Sequence, residues 1–363
     1  MFEHLLSTLQ VGDLQLENRV VFASMTRNRG IVPQSDIHVP YYRERAGVGL
    51  ITTESVLICP QGSDWSYMPG IYSQDQVDGW KAVTDAVHDA GGLIFCQLLH
   101  PGRIAHPDTH AQRQTGQAVV APSPIAARGG KFRNVPGGPG YVVPSEIADP
   151  EEILDLFEEA ARGAKEAGFD GLQLHHANGY LPMQFLEAHS NTRTDAWGGS
   201  IENRIRFTLG VLERMSRYFP YNRISIKIAP CGGYNDMGEL DASGQPSIEA
   251  AKATYIPFCK ALAKLGLAYI EVVRFFAPFD PVIDGKGRGV DWDVISELRD
   301  ILRGTPLFGN TAFTPEEAET YIREDRMDGV AIGRPLIYDQ DYVGKLKAGE
   351  QLYQEQRGDE FWW

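Results

Sequence analysis

A chain of 363 residues, 43% hydrophobic and 23% charged, is long enough to bury a large core without disulfide or metal staples. Its net charge of −14 argues against nucleic acid and against an anionic membrane surface as partners, although a small anionic cofactor needs only one local basic pocket. The cysteines Cys59, Cys96, Cys231 and Cys259 form no C-x-x-C pair or zinc spacing, the N-terminal stretch lacks the basic and apolar regions of a signal peptide, and no apolar run approaches membrane-spanning length, so a cytoplasmic protein is expected.

Taken in chain order, short apolar runs alternate with longer amphipathic segments. Strands are predicted at Val20–Ala23 and Leu50–Thr53, then a helix over Asp75–Asp89, capped by Ser73 and stopped at Gly91–Gly92. A strand over Leu93–Gln97 precedes a helix over Asp149–Ala167, where Asp149 is the cap, Pro150 follows it and Gly168 is the stop. Four further strands are predicted at Gly171–His175, Ile224–Ala229, Tyr269–Val273 and Leu307–Phe308. They alternate with helices at Ser200–Tyr218, Ile248–Leu265, Trp292–Leu302 and Thr314–Arg323, and Gly329–Ile332 closes the series. The strand candidates are short, apolar and often β-branched, as strands buried on both faces are.

Eight such units suit a doubly wound sheet or a closed barrel. No G-x-G-x-x-G follows the first strand, so the reading is an α/β chain, a single (β/α)8 TIM barrel over residues 1–363. The connections from Leu98 to about Pro144 and from His176 to Gly199 are too long to be turns. Both follow strands, so both are expected to cap the C-terminal face, where barrel enzymes carry their active sites.

The richest segment runs from Gly168 to Phe207. His175 falls at the end of a strand, and the small residues Ala177 and Gly179 let the chain turn so that Asn178 converges with it. Two such donors suit a carbonyl oxygen on which negative charge develops, and the Tyr180 phenol can deliver a proton to a nearby carbon. Alone, an H-x-x-N is more simply a buried histidine beside a turn asparagine.

The rest of the segment resembles the Old Yellow Enzyme family of FMN-dependent ene-reductases. His175, Asn178, Gly179 and Tyr180 are followed by Asn191, Arg193, Asp195, Gly198, Gly199, Ser200, Glu202, Asn203 and Arg204 in the family's spacing. ENRVVFASMTRNR, GVGLITTESV, GGLIFCQLLHPGR and GVAIGRPLI extend the likeness over nearly the whole chain. The resemblance implies that Thr26 and Gln97 bind the flavin ring, with Ser55 and Lys227 in the same cofactor set. It implies that Gly309, Asn310, Gly333 and Arg334 hold the phosphate, as loops after the seventh and eighth strands of barrels often do. It makes His175 and Asn178 the pair that grips the substrate's oxygen, Tyr180 the proton donor, and FMN with NADPH or NADH the cofactors, acting on small activated alkenes in a monomer or homodimer. The charged residues Arg193, Asp195, Glu202 and Arg204 are read as a structural clasp.

Three positions depart from the pattern or stand outside it. Lys227 stands where the family usually has arginine, keeping the charge but losing the planar fork. Leu99 replaces a common tryptophan and is expected to open the substrate pocket. Tyr234, an aromatic on the loop after the fifth strand, reads equally as a substrate neighbour or as packing. The terminal Phe361, Trp362 and Trp363 are expected to dock on the barrel or on a second subunit. Other readings of the same residues are an enone dehydrogenase or isomerase, a flavin-free barrel lyase with Lys227 as a Schiff-base lysine, and a non-catalytic flavin-binding protein.

Overall fold

The computed structural model describes residues 2–128, 140–283 and 285–352. Phe361, Trp362 and Trp363 therefore lie outside the described residues. Eight parallel strands close into a barrel: β1 (Val20–Phe22), β2 (Leu50–Leu57), β3 (Ile94–Leu99), β4 (Gly171–His176), β5 (Ile224–Ile228), β6 (Ile270–Val273), β7 (Leu307–Asn310) and β8 (Gly329–Ile332). Each pairs with its sequence neighbours, and β8 returns to β1 through Val330 and Val20. The main helices are α1 (His38–Arg43), α2 (Gln74–Asp89), α3 (Pro150–Glu166), α4 (Ile201–Ser216), α5 (Ile248–Leu262), α6 (Val294–Arg299), α7 (Pro315–Arg323) and α8 (Tyr342–Ala348). One follows each strand, as the alternation predicts.

The helix starts are set by caps. Ser73 and Gln76 form a reciprocal capping box, Asp149 accepts from the Glu151 N–H ahead of Pro150, and Thr314 accepts from the Glu317 N–H. Helix α6 is shorter than predicted because Asp293, not a residue before Trp292, supplies the cap, accepting from the Ser296 N–H. Strand β2 is longer than predicted. Glu54 and Ser55 fall outside the predicted Leu50–Thr53, yet after an irregularity at Thr52–Ser55 the chain continues to pair, Ser55 with Gln97 and Leu57 with Leu99. Likewise Gly309 and Asn310 end strand β7 rather than following it.

Alternation along the strands divides the core into two layers. One parity, which includes Val20, Phe22, Ile94, Cys96, Leu172, Leu174, Ile226 and Ile270, packs outward in one cluster with helix residues such as Phe157, Val211 and Phe258. The other parity points into the barrel, where Val21, Leu50, Phe95, Tyr269 and Phe308 form the lower layer. An N-terminal hairpin, Leu9–Val11 with Leu14–Leu16, joins that layer through Val11, Leu14 and Leu16 and closes the bottom. Fully burying one such apolar side chain stabilises the fold by roughly 1.5–3 kcal/mol. One step further along the inward parity the residues become polar, namely Gln97, Gln173, Lys227 and Glu271, and all are buried. A polar layer at the C-terminal ends of otherwise apolar strands is what positions the site.

The connection between β3 and α3 carries a helix over His110–Thr115 and a short pairing of Val120–Ala121 with Ser145–Glu146. The connection after β4 carries a helix over Leu181–Leu186. Both lie at the C-terminal ends of their strands, as expected. Among the described residues no helix is long and apolar enough to cross a membrane.

Candidate active site

The polar layer forms one continuous chain of contacts across the barrel. The Ser55 hydroxyl donates to Gln97 Oε1 at 2.5 Å, and Gln97 Nε2 donates to Gln173 Oε1 at 2.6 Å. Gln173 Nε2 then donates to Tyr269 Oη and to Glu271 Oε2, each at 3.0 Å. Lys227 Nζ stands 3.0 Å from Glu271 Oε1 in an ion contact off the direction of a hydrogen bond. Lys227, Glu271 and His175 share one barrel register, His175 beside Lys227 and Lys227 beside Glu271. Sequence reasoning found Gln97 and Lys227 and missed Gln173 and Glu271. The signal for both was an ionisable or amide residue at inward parity in a strand otherwise apolar.

Beside Lys227, and one inward step beyond Gln173 on β4, stands His175, 4% exposed. The Ala177 N–H donates to its Nδ1 at 3.3 Å, so Nδ1 is the unprotonated nitrogen and Nε2 carries the hydrogen. Burial first, then the neighbouring Lys227, hold its pKa well below the usual histidine range. His175 is therefore a neutral donor near neutral pH.

The turn that follows depends on two left-handed residues, Asn178 at φ 56° and Gly179 at φ 78°. Asparagine tolerates that region, and at 179 a side chain would meet Asn235 Cβ and Met237 Cγ at 2.8 Å. Asn178 is half-buried, and its carbonyl accepts from Asn235 Nδ2 at 2.8 Å. Asn235 Oδ1 in turn accepts from the Tyr141 hydroxyl at 3.0 Å, so two capping connections lock the turn.

Tyr180 sits edge-on to the His175 ring, with 4.7 Å between centroids. Its hydroxyl donates to Asp64 Oδ2 at 3.0 Å. Burial, with the Asp64 carboxyl next, pushes the phenol well above its ordinary value. Tyr234 is half-buried and close enough for its phenol to act electrostatically on Tyr180. Leu99 is wholly enclosed in a cluster with Leu57, Met68, Ile104 and Tyr180. It therefore packs against Tyr180 and leaves no open space beside itself.

At the other side of the mouth, β7 and β8 bring the predicted phosphate residues together. Asn310 Nδ2 donates to the Ala331 carbonyl at 3.1 Å, and Thr311 and Ala312 both take positive φ, 85° and 54°. A β-branched residue at such an angle marks a strained turn. Gly333 needs its missing side chain, because a Cβ there would lie 2.5 Å from Met25 Sδ. That contact ties the segment carrying Arg334 to the segment carrying Thr26, and both residues are half-buried. Gly309 is different. Its side-chain position is filled by Met327 and Phe313 outside the barrel wall, so its glycine serves packing.

Of the predicted clasp, Arg193 binds Asp195 and donates to the Ile147 carbonyl at 2.6 Å, joining the two capping connections. Arg204 donates to the Leu186 carbonyl and lies 3.5 Å from Glu239. Glu202 is not part of it. It is exposed in the first turn of α4, with its carboxyl held slightly low by its own backbone and by Ser200. The four cysteines are free and buried.

The donor set fits FMN. Thr26, Gln97 and Lys227 would offer donors to a flat heteroaromatic ring at the barrel mouth, and the strained β7 turn and Arg334 would face an anionic tail at its edge. Fold and site together define a barrel oxidoreductase with its cofactor cleft at the strand C-termini. A family model described as the NADH:flavin oxidoreductase / NADH oxidase family matches residues 4–353. A probable flavin mononucleotide-dependent alkene reductase of Leishmania infantum is 36% identical over 362 residues, which covers 96% of this chain and 91% of that protein. The Old Yellow Enzyme homologue of Zymomonas mobilis matches with a TM-score of 0.87 at 32% identity, over 99% of this chain and 96% of that one. Morphinone reductase in complex with tetrahydroNAD matches with a TM-score of 0.83 at 32% identity, over 96% and 92%. The chain belongs to the NADH:flavin oxidoreductase / NADH oxidase family and is an FMN-dependent enzyme of the Old Yellow Enzyme kind.

Proposed function

We propose that the enzyme is an ene-reductase that reduces the activated carbon–carbon double bond of an α,β-unsaturated carbonyl or nitro compound. The observation that carries this reading is the neutral His175, with Nε2–H available, set edge-on to Tyr180 and beside Lys227. FMN, when bound, supplies the hydride, recharged by NADPH or NADH in a separate half-reaction. Thr26 and Gln97 would hold its ring, with Gln97 oriented by the Ser55 hydroxyl, and Lys227 would supply positive charge to it. Asn310, Gly333 and Arg334, with the Gly309 backbone, hold its phosphate.

His175 and Asn178 bind the substrate's activating oxygen and stabilise the negative charge that develops there. A neutral histidine does this without competing for the proton. Tyr180 delivers that proton to the α-carbon, while Leu99 and Tyr234 shape the space around it. A cytoplasmic setting belongs to this reading and is supported by the free, buried thiols. The Schiff-base alternative is disfavoured because the buried Lys227 lies 3.0 Å from the Glu271 carboxylate, whereas the lysines such chemistry uses sit in apolar pockets or beside another cation.

The test is the visible spectrum of the purified protein under anaerobic conditions. A flavin spectrum that bleaches with NADPH and recovers on adding 2-cyclohexenone is expected. A colourless protein that takes up no FMN, or a bleached one that no activated alkene reoxidises, refutes the proposal.

A further inference from the structure

Beside the site lies a buried carboxyl that the mechanism above does not use. Asp64, on the connection between β2 and α2, is 3% exposed, and its Oδ2 accepts the Tyr180 phenol hydrogen at 3.0 Å. The segment is anchored just ahead of Asp64. The Gly62 N–H donates to Gln112 Oε1 at 2.6 Å, and the Ser63 carbonyl accepts from the His106 N–H at 3.2 Å and from the Thr109 hydroxyl at 3.0 Å. Tyr180 is fixed from the opposite side by the His175 ring and the apolar cluster of Leu57, Met68, Leu99 and Ile104. Two groups able to exchange a proton are thus held rigidly at hydrogen-bond distance, one of them a tyrosine at the substrate-binding face.

We propose that Asp64 and Tyr180 form a two-residue proton relay, in which the Asp64 carboxylic acid restores the proton that the Tyr180 phenol gives to the substrate's α-carbon. This rests on the reading of Tyr180 as proton donor. As hydride from the reduced FMN arrives at the β-carbon, the phenol O–H bond breaks and a C–H bond forms at the α-carbon. The Asp64 O–H bond breaks as the phenol O–H reforms, and the carboxylate recovers its proton from solvent. No electrons pass through either residue.

The protonation state of Asp64 decides whether the phenol is a usable acid. With Asp64 ionised, losing the phenol proton would leave two negative charges 3.0 Å apart in a buried site. With Asp64 neutral, its own O–H turns toward the phenol oxygen and stabilises the developing phenolate. Burial favours that neutral form and pushes the carboxyl up to about 7, against the pull of the Tyr180 hydrogen bond. The titratable groups around the pair are His175 edge-on to the Tyr180 ring, and Tyr141 and Tyr234, whose phenols bear on Tyr180. His100 lies behind Gly62, and burial holds it down to about 4 and therefore neutral. His106 anchors Ser63. Asp64 touches neither substrate nor cofactor, so it is a positioning residue that acts through Tyr180.

The experiment measures both half-reactions of the FMN-loaded enzyme by stopped flow across neutral pH, for wild type, Asp64→Asn and Tyr180→Phe. The wild-type alkene step is expected to slow as pH rises through the Asp64 ionisation, with no matching limb in flavin reduction. Asp64→Asn is expected to slow the alkene step about 10–100-fold and to erase that limb. Equal slowing of both half-reactions in Asp64→Asn, or a wild-type rate and profile, overturns the relay. If Asp64→Asn does not fold, a wild-type alkene rate that stays flat across neutrality overturns it alone. Tyr180→Phe separates the two ideas. No slowing there sinks the donor reading itself, whereas slowing there with an unaffected Asp64→Asn sinks only the relay.

Discussion

The Lys227–Glu271 pair is the sharpest departure of this barrel from an apolar interior, and its energetics can be tested without the cofactor. At 3.0 Å and an effective dielectric near 20, two unit charges attract by about 5 kcal/mol, most of which the desolvation of both groups offsets. Removing one partner leaves the other buried with its charge uncompensated. Lys227→Met strands the Glu271 carboxylate, which is 0% exposed and, among the described residues, retains Gln173 as its one side-chain donor. Glu271→Gln strands the ammonium. Each single variant is expected to lose about 3–5 kcal/mol, and the double variant far less than the sum, since it leaves no charge behind. The assay is urea unfolding of FMN-free protein, so that cofactor binding adds nothing to the measured stability. Additive losses would refute the reasoning, because they would mean that the two groups do not compensate one another.

The same pair bears on the flavin. Lys227→Arg is expected to change FMN affinity and midpoint potential, since the planar fork can reach beyond Glu271 where the ammonium does not. Unchanged values would count against this. Gly333→Ala would displace the flexible end of Met25, whose Sδ lies 2.5 Å from the new Cβ, and is expected to change stability little but to weaken FMN binding, read by fluorescence titration. Leu99→Trp overfills the cluster around Tyr180 and is expected to alter substrate range and product stereochemistry, and identical product analysis would refute that. Stability itself is expected to peak near pH 6.5 and to fall on either side, followed by thermal melts across pH. His38, His100 and His189 are held down to about 4 and His176 to about 3, chiefly by burial, so their contribution is present above the ordinary histidine value and lost as pH falls toward those values. Glu54 and Asp64 are raised to about 7 and Glu187 is raised too, again chiefly by burial, so their contribution is lost as pH rises through those values. A stability that keeps climbing above neutrality would contradict the second half of this account.

What could be read in the sequence and what could not follow from how far each signal travels along the chain. All eight strands and six of the eight helices that follow them were legible because their cues are local: an apolar run, a cap, a glycine stop. Their ends were missed where a polar residue continues an inward-facing row, as Ser55 does in β2 and Asn310 in β7. From composition alone such a residue looks like the start of a loop. Only the partner strand shows that it is paired. Glu271 was hidden for a related reason. Within the apolar run at 269–273 it resembles a lapse in a buried strand, and its sense comes from Lys227 on the neighbouring strand.

The site divides in the same way. His175, Asn178 and Tyr180 lie within six residues of one strand end and its turn, and the His175 and Tyr180 rings meet there, so a short pattern suffices. Asp64 is 116 residues from Tyr180 and belongs to a connection with no motif of its own. It comes to the phenol because Gly62 and Ser63 are tied to the long connection after β3, a tertiary fact with no sequence shadow. A catalytic group defined by its own backbone can be found by pattern. A group that acts through another is found only where the chain has folded back on itself, and in this barrel that applies to both Glu271 beside Lys227 and Asp64 beside Tyr180.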